Sequence, residues 1–550
     1  MVEGSLGCQK DDEDINESDG DMITKLPDPI LQHILLFLPT ADAARMSTVS
    51  KNWRNLWNSL SVLQFSFNEN TQSQSLEEFM SWVDDSLSTL RSLEEKAIIH
   101  SFILDLNLVE VRHPFYNNGM HCMTIIDFIN DWINLVLKNC VKHLKLVLSN
   151  IMYTLPLVIF SSKYLLTLHI EGCSIRRESS FPIDHAPFNC LKELALLRVE
   201  ASSYIVEKIL SFSPLLEKVV FKEIGRMGSL RICNLPRLIY VEVEQKLDER
   251  LVIEAPNLRT LILRLNGSVN VYVSDCVTWS SKYGSKFVFE HPRLEILDLC
   301  FYICTRIKVA CSHLRNMSLS NKGHERPLEI EVDAQKLEQL NYEGYVIPTF
   351  NGMESLVKPS VTLKLLLGGR PGLDVAVRSC IEMFNQPMVH LSYLYGQCFK
   401  AQEILWPGQV QQVQFDSPPP KVKFLKWSLG SLTPAYAYPY LLDGSLCSCH
   451  PAILRVETLP RNREFIKFLC HELLEREENP ACCEDETGFR CWRHYLKDVH
   501  VEIQSQSETK PKPYTSNALM EVLKYIDTSK EFQFSMNWLP NLMSPFFLFF

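Results

Sequence analysis

The C-terminal part of the sequence is rich in cysteine and histidine, side chains that commonly bind zinc in proteins. These residues are Cys447, Cys449, His450, Cys470, His471, Cys482, Cys483, Cys491 and His494. Structural zinc sites favour ligand pairs separated by about two to five residues, so that both side chains reach one ion. Here a single residue separates Cys447 from Cys449, and Cys482 directly precedes Cys483. The spacing predicts buried, metal-free thiols, with a zinc site as the alternative.

Catalytic patterns are also incomplete. The stretch from His471 to Glu475 is similar to the H-E-x-x-H helix of zinc proteases, but Glu475 stands where the second histidine is needed. The sequence has no G-x-S-x-G turn, no glycine-rich phosphate loop and no protein-kinase motif. We therefore predict no catalytic residue, no bound metal and no cofactor.

Composition and charge narrow the possible partners. Of the net charge of −10, −7 falls in residues 1–21, which we expect to be an acidic, disordered tail. The remaining −3 offers no basic face, which argues against a nucleic-acid partner. No apolar run reaches the length of a membrane helix, and no signal peptide is evident. Eighteen cysteines without such a signal indicate reduced thiols in the cytoplasm or the nucleus.

From residue 141 onward the pattern aliphatic-x-x-aliphatic-x-aliphatic recurs, which is the signature of leucine-rich repeats. Successive matches are 24, 26, 25, 22, 20, 36, 20 and 23 residues apart. They begin at Val141, Leu165, Leu191, Leu216, Leu238, Leu258, Leu294, Leu314 and Leu337. The long interval predicts an insertion, a hairpin or loop over Val269–Glu290. The sequence therefore predicts an irregular repeat solenoid over residues 141–366, which fades beyond them.

Other elements flank the repeats. Periodic apolar residues predict entry units over 61–140: strands at Val62–Phe67 and Ile98–Leu108, and helices at Leu76–Leu90 and Ile125–Leu137. Within 367–550 they predict helices at Leu373–Phe384, Arg463–Glu475 and Asn517–Ile526, a late repeat at Val422, Leu425 and Trp427, and a strand at Phe532–Met536.

Residues 22–60 predict three short helices. Asp28 can cap a first helix that starts at Pro29, and Thr40 can cap a second. Trp53, Leu56 and Trp57 share one face of a third. Three helices of this size bury little surface, and the stretch contains no cysteine for a disulfide. We expect the apolar residues left over to form a patch for a partner, drawn from Leu26, Pro27, Ile30, Leu31, Ile34, Leu38, Val49 and Trp53.

The segments Leu26-Pro27-Asp28-Pro29-Ile30-Leu31, Phe37-Leu38-Pro39-Thr40 and Ser50-Lys51-Asn52-Trp53-Arg54 resemble the F-box of the plant F-box/leucine-rich-repeat family. Cys491 to Val499 is similar to the start of the FBD segment in many of these proteins. The resemblance implies an α/β protein with a three-helix F-box, a horseshoe-shaped repeat solenoid and an α/β C-terminal segment. It also implies a Skp-type adaptor as partner and, through it, a cullin and a RING protein of a ubiquitin ligase.

The same resemblance implies a non-catalytic receptor that presents an unknown target protein, and a plain repeat scaffold is the alternative. Strand residues that alternate with the buried aliphatics should face the concave side and contact the target. These are His169, Glu193, Lys218, Lys222, Tyr240, Glu242, Glu244, Arg264 and Asp298. We expect Tyr240 to be an exposed aromatic anchor, and Lys218 and Lys222 to pair with Glu242 and Glu244.

Overall fold

The structure is a computed structural model, and its two compact units are Met1–Ser174 and Ile175–Phe550. It describes residues 26–92, 99–112, 119–176, 190–352, 360–367, 389–395, 419–429, 438–458, 463–475, 491–504, 512–514 and 530–539, with short gaps inside these ranges, together with Ile23, Arg378, Ile381, Glu382 and Ala435. The predicted acidic tail and the predicted helix Asn517–Ile526 lie outside the described residues. So does most of the predicted helix Leu373–Phe384.

The first unit begins with the helices α1 (Asp28–Phe37), α2 (Thr40–Met46) and α3 (Lys51–Asn58). Asp28 was predicted to cap α1, but Pro27 occupies the cap position and Asp28 lies in the first turn. A carboxylate there suits the positive end of the helix. The Oδ1 atom of Asp28 also accepts a hydrogen bond from Asn52 Nδ2 at 3.3 Å, which ties α1 to α3.

A parallel sheet follows in the first unit. Its strands are β1 (Val62–Asn68), β2 (Ser101–Arg112), β3 (His143–Ile151) and β4 (Thr167–Glu171), paired in that order. The helices α4 (Leu76–Ser92) and α5 (Gly119–Lys138) connect them, and a 3-10 helix (Leu157–Ser161) follows β3. These positions confirm the predicted entry elements, although β2 begins three residues later than expected and α5 six residues earlier. Aromatic packing holds α4 on the sheet, with the Phe65 and Trp82 ring centroids 5.1 Å apart.

The second unit is built on a longer ladder of parallel strands. In spatial order these are β5 (Glu193–Leu197), β6 (Lys218–Lys222), β8 (Tyr240–Ile253), β9 (Thr260–Asn266), β14 (Ile296–Phe301), β16 (Asn316–Asn321), β18 (Gln339–Gly344), β20 (Ser360–Leu367), β21 (Val389–Tyr395), β22 (Lys421–Leu429) and β23 (His450–Thr458). The repeat aliphatics point into the core; Val219 and Phe221, for example, are fully buried. This solenoid-like ladder does not end with the sequence pattern near residue 366, because the parallel backbone pairing continues through three more strands, β21, β22 and β23.

A second set of strands runs alongside this ladder. Here β7 (Met227–Ile232) and β10 (Asn270–Val273) pair in parallel with the far half of β8, while β13 (Gly284–Phe289), β15 (Arg306–Ala310), β17 (Glu329–Asp333) and β19 (Thr349–Asn351) pair with one another. The short strands β11 (Cys276–Val277) and β12 (Trp279–Ser281) pair antiparallel with β10 and β13. The insertion, which was predicted to be a hairpin or loop, forms two hairpins. Strand β10 of the first hairpin pairs in parallel with β8, and strand β13 of the second pairs in parallel with β15.

The C-terminal region closes the ladder. Strand β26 (Lys530–Trp538) pairs antiparallel with β23, followed by β24 (Leu496–Gln504) and β25 (Lys512–Tyr514). The helices of this unit whose bounds the structure describes are α6 (Ser203–Ser211), α7 (Tyr438–Ser448), α8 (Arg463–Leu474) and α9 (Trp492–Tyr495). These bounds confirm the predicted helix at 463–475, the strand at 532–536 and the late repeat, whose Leu425 and Trp427 are fully buried.

His450, the first residue of β23, is buried without a charge partner. Its ring stacks on Trp538 with centroids 3.9 Å apart, and its side chain is 1% exposed. Among the described residues, neither ring nitrogen finds a hydrogen-bond partner. Burial and the positive charges of Lys421 and Arg378 lower the pKa of His450 to about 3. The folded protein therefore keeps this imidazole neutral.

This burial makes stability depend on pH. The unfolded chain binds a proton at His450 below its ordinary pKa of about 6.5, whereas the folded chain does not, so stability falls as the pH drops from about 6.5 towards 3. The loss from this residue is about 1.4 kcal/mol per pH unit. His450→Phe keeps a ring on Trp538 and should remove the loss, as urea unfolding at about pH 7.5 and pH 5 would show.

The same change at the exposed His313 is the control. If His450→Phe loses as much stability at the lower pH as the unchanged chain, His450 does not determine the acid sensitivity.

Candidate functional site

Helices α1–α3 enclose a small core of their own. Its buried residues, each at most 4% exposed, are Leu31, Leu35, Ala43, Trp53 and Leu56. The partly buried residues around them are Leu26, Ile34, Leu38, Met46 and Trp57. The Oγ atom of Ser50 accepts a hydrogen bond from the backbone N–H of Trp53 at 3.2 Å, which fixes the start of α3. The core is just large enough to hold three short helices together.

The eight residues predicted as a partner surface fall into three groups. Leu31 and Trp53 are core residues, which corrects the expectation that they contact a partner directly. Leu26, Ile34 and Leu38 pack against the core and keep part of their surface exposed. Pro27, Ile30 and Val49 are exposed. Helices this short must bury their best-placed apolar residues to cohere, so only the remainder is available for binding.

The exposed face of α1 includes a residue that the predicted set omitted. Phe37 is 77% exposed, against 48% for Ile30 and 60% for Val49. Ile30, Ile34 and Phe37 follow one another at intervals of four and three residues, so they lie along one face of the helix. That spacing was readable in the sequence and would have identified Phe37. Exposed apolar side chains in such a row are typical of a protein-binding surface.

The residues predicted to bind a target lie in both units. His169 is on β4 in the first unit, and the other eight are on neighbouring strands of the second. In the second unit the register aligns them in rows. Glu193, Lys218 and Tyr240 form one row; Glu242 and Asp298 belong to the next; and Lys222, Glu244 and Arg264 form a third. The strand pairing therefore brings these eight residues onto one face.

Ion pairs connect four of these strands. Glu242 on β8 lies 2.6 Å from Lys222 Nζ on β6 and 3.3 Å from Arg264 Nη1 on β9. Arg264 in turn donates a hydrogen bond to Asp298 on β14 at 2.9 Å. The hydroxyl of Tyr240 donates to Glu242 at 2.8 Å. We call these five residues the charge network; it neutralises itself across the strands.

The charge network shifts the ionisation of its members. Burial alone would raise the pKa of Glu242, but hydrogen bonds from Lys222 and Tyr240 and the nearby positive charges outweigh it and lower the pKa. Burial raises the pKa of Asp298 despite Arg264. Burial and the bond to Glu242 raise the pKa of Tyr240 to about 12. Glu242 is therefore a carboxylate in the folded protein, and its negative charge pairs with Lys222 and Arg264.

Two pairing expectations change in detail. Lys222 pairs with Glu242, not with Glu244, which lies directly opposite it. Lys218 pairs with Glu193 at 3.7 Å, and its Nζ lies 5.3 Å from the centroid of the Tyr240 ring. Tyr240 is half-buried, not exposed. The Tyr240 ring, with Lys218 over one of its faces, and the half-buried Glu244 remain for contact, and no side-chain bond of Glu244 is found among the described residues.

A second charged group lies further along the same ladder. Glu343 on β18 binds Lys322 at 2.7 Å and Lys364 on β20 at 2.9 Å. Lys322 directly follows the end of β16. Hydrogen bonds donated by both lysines lower the pKa of Glu343 despite its partial burial. Pairing between neighbouring repeats is thus a general feature of this face.

The cysteine-rich C-terminal region shows thiols without a metal arrangement. Cys449 and Cys470 are fully buried, and burial raises the pKa of the Cys470 thiol to about 12. Among the residues that the structure describes, no group of three or more His, Cys, Asp or Glu side chains could hold a metal ion. Cys482 and Cys483 lie outside those residues. Arg493 instead organises this region through Asp443 at 3.0 Å and Glu472 at 3.1 Å.

Comparison with known proteins identifies two parts of the chain. Residues 23–65 match the model of the F-box domain, and residues 129–276 match that of the leucine-rich repeats of FBD-associated F-box protein At5g56370. Neither is the model of an enzyme family. No solved structure matches the chain significantly.

Several Arabidopsis thaliana proteins are similar to the chain. F-box/LRR-repeat protein 13 is 32% identical over 22% of this chain and 24% of its own length. F-box/LRR-repeat protein At3g03360 is 27% identical over 44% of this chain and 47% of its own length. F-box/FBD/LRR-repeat protein At1g78750 is 26% identical over 44% of this chain and 52% of its own length. The chain thus spans between a quarter and about half of the length of these relatives.

None of the described helices is long and apolar enough to cross a membrane.

The charge network predicts a specific loss of stability. Glu242→Gln removes the charge that Lys222 and Arg264 share, and since the Glu242 side chain is only 12% exposed, the two cations lose a partner that water replaces poorly. We expect the free energy of unfolding to fall by about 1–2 kcal/mol. Glu244→Gln on the same strand should change it by less than about 0.5 kcal/mol. Equal effects of the two substitutions in urea unfolding would contradict the proposed role of the network.

Proposed function

Because the chain combines an F-box with leucine-rich repeats, as F-box/LRR-repeat proteins do, we propose that it is the substrate-recognition subunit of an SCF-type ubiquitin ligase. An F-box serves in general as a substrate adaptor that docks on a Skp-type protein. In this proposal the F-box binds the Skp-type adaptor, which connects the chain to a cullin and a RING protein, and the repeats bind a target protein in the cytoplasm or the nucleus. The observation that carries the proposal is the exposed apolar row on α1 within a domain that matches the F-box.

The adaptor interface follows from what α1–α3 leave unburied. Ile30, Phe37 and Val49 each expose about half or more of their surface. Keeping such side chains in water forgoes roughly 25 cal/mol for each Å² that a partner could bury. Leu31 and Trp53 lie in the core behind these residues. Their packing fixes the direction in which α1 presents its outer face. We infer that the row Ile30–Ile34–Phe37 is the centre of the adaptor contact.

The proposed mechanism is proximity. A receptor that holds a target beside a charged conjugating enzyme raises the effective concentration of the acceptor lysine, so it needs no nucleophile of its own. The pKa of buried thiols such as Cys470 lies above its ordinary value, which leaves little of the reactive thiolate at neutral pH. In this proposal the chain contributes binding and orientation, and the partner enzymes carry out the chemistry.

The proposed target surface is the face that the aligned strands of the second unit present. Its centre is occupied by internally paired charges, which fix the side chains but leave little unsatisfied charge. We therefore expect a partner to contact groups at the edge of the charge network. These are the ring of Tyr240, the Lys218 side chain that lies over it, and the carboxylate of Glu244. A mixture of an aromatic anchor and polar neighbours is typical of protein–protein interfaces.

A scaffold that binds its partner without ubiquitination would use the same fold. The two functions differ in the fate of the partner. If the chain is a receptor, deleting the F-box should make the captured protein accumulate, and proteasome inhibition should do so in the unchanged chain. If it is a scaffold, the abundance of the partner should not respond to either change.

The adaptor contact can be tested with paired substitutions. Ile30→Asp with Phe37→Asp places two charges in the exposed row, so we expect adaptor affinity to fall by at least about tenfold while the core stays folded. Purified full-length chain and a Skp-type adaptor would be compared by titration calorimetry. Val158→Asp with Tyr164→Asp is the matched control, since these apolar residues of the first unit are also about half exposed, at 45% and 53%.

A different substitution separates contact from folding. Leu31→Ala leaves a cavity in the α1–α3 core and should cost about 2–5 kcal/mol, so the adaptor is lost together with the helices. Full adaptor affinity in the Ile30→Asp, Phe37→Asp chain would contradict the proposed interface.

The target surface is tested by Tyr240→Ala with Glu244→Lys, which keeps the Glu242 carboxylate but removes the hydrogen bond that Tyr240 donates to it. We expect this chain to lose its target and keep its adaptor, as affinity purification under proteasome inhibition would show. Tyr204→Ala with Glu207→Lys on α6 removes a comparable aromatic and acid outside the strand rows and serves as the control. If the first chain captures the same proteins as the control, the target binds elsewhere.

A further inference from the structure

Helices α4 and α5 of the first unit enclose a groove that neither the F-box nor the strand rows use. Its cavity has a volume of about 300 Å³. Leu76, Met80, Ile125 and Phe128 form an apolar floor, and the first three remain 3–8% exposed through the opening. A volume of this size lies at the lower end of the range for ligand pockets, about 300–1,000 Å³. It suits one large apolar side chain of a partner.

The rim of this groove is acidic. Glu77, Asp84 and Asp85 line its opening. Helices α4 and α5 together contain six acidic residues against Arg91 and Lys138, a balance of −4. Since the net charge is −10 and residues 1–21 carry −7, the rest of residues 22–550 has a balance of +1. The two helices are therefore acidic, and three of their six carboxylates line the cavity.

Acidic residues of the rim and an apolar residue of the floor alternate along one face of α4. Glu77, Met80 and Asp84 are separated by three and four residues, so they share one face of the helix, with the apolar residue between the two carboxylates. At about 1.5 Å per residue the carboxylates lie roughly 10 Å apart along the axis. Asp84 is held in place by Trp132 of α5, whose Nε1 donates a hydrogen bond to it at 3.2 Å. The position of the Asp84 carboxylate is therefore fixed before any partner binds.

We propose that this groove is a docking site for a basic amphipathic peptide segment of a partner protein. One aliphatic or aromatic side chain of the segment enters the cavity between Met80 and Phe128. Lysine or arginine side chains on both sides of that anchor, roughly 10 Å apart, face Glu77 on one side and Asp84 and Asp85 on the other. Apolar burial supplies affinity, and the carboxylates select the sign of the partner and its orientation.

The charge of the groove excludes other classes of ligand. Nucleic acids and anionic membranes carry the same sign as the rim and would be repelled. A divalent cation needs several oxygen ligands around one point, whereas Glu77 and Asp84 are two helical turns apart. Among the described residues no metal-binding group occurs here. A cationic peptide with an apolar centre satisfies both the rim and the floor.

The test uses the full chain and a defined probe, the fluorescein-labelled peptide Lys-Lys-Ala-Leu-Ala-Lys-Lys, read by fluorescence anisotropy. Glu77→Lys with Asp85→Lys should weaken binding by at least about tenfold, because both sides of the rim repel the peptide. Asp127→Lys with Asp131→Lys is the matched control: both are exposed acids of α5 outside the cavity lining, and the net charge changes equally. We expect this control to lose no more than about threefold, because neither carboxylate lines the cavity.

A second variant tests the cavity itself. Ser81 lines the groove and is exposed, so Ser81→Trp can fill the opening without disturbing a buried residue. It should also weaken binding by at least about tenfold, and the peptide with serine in place of leucine should bind as poorly to the unchanged chain. The proposal is overturned if the unchanged chain does not bind the probe, if both double variants lose affinity equally, or if Ser81→Trp binds normally.

Discussion

The structure depends on one constraint: each repeat must bury its aliphatic residues against its neighbours, because a single repeat has no core of its own. Parallel pairing satisfies this need by stacking strands about 4.8 Å apart and turning alternate side chains inward. The same geometry fixes what lies on the opposite face. Side chains that are 20 to 40 residues apart in sequence become direct neighbours, and Glu242 meets Lys222 and Arg264 only because β6, β8 and β9 are in register.

The F-box must also bury apolar residues to fold, but it is much smaller than the repeat region. Its helices bury Leu31 and Trp53 to hold together, and the residues they cannot cover, Ile30 and Phe37, stay exposed on α1. A long repeat sheet can bury its apolar residues between neighbouring repeats, whereas three short helices cannot bury all of theirs. This difference leaves exposed apolar side chains on the F-box and a mainly polar face on the repeats. It matches the division of work proposed for the chain, with an adaptor at one surface and a target at the other.

Much of this arrangement was predictable from the sequence. The aliphatic period located the strands, and period-2 alternation predicted which side chains share a face, because both depend on local backbone geometry. The second set of strands was not predictable, since β13, β15 and β17 carry no fixed signature between the repeats. The diagonal pairing of Lys222 with Glu242, and not with Glu244, depends on side-chain rotamers that sequence does not encode. The helix pattern identified the apolar positions of α1, and the spacing of Ile30, Ile34 and Phe37 could have identified Phe37, but the pattern did not show that Leu31 is buried in the core.

The most direct test of the central claim is hydrogen exchange of the full-length chain with and without a purified Skp-type adaptor. The claim is that the outer face of α1 is the adaptor-binding surface, so binding should slow amide exchange in α1 and around Val49, the regions whose apolar side chains become covered. Strands β5–β23 should exchange as before, because their pairing does not depend on the adaptor. Absence of a complex, or protection confined to the repeats with α1 unchanged, would contradict the account.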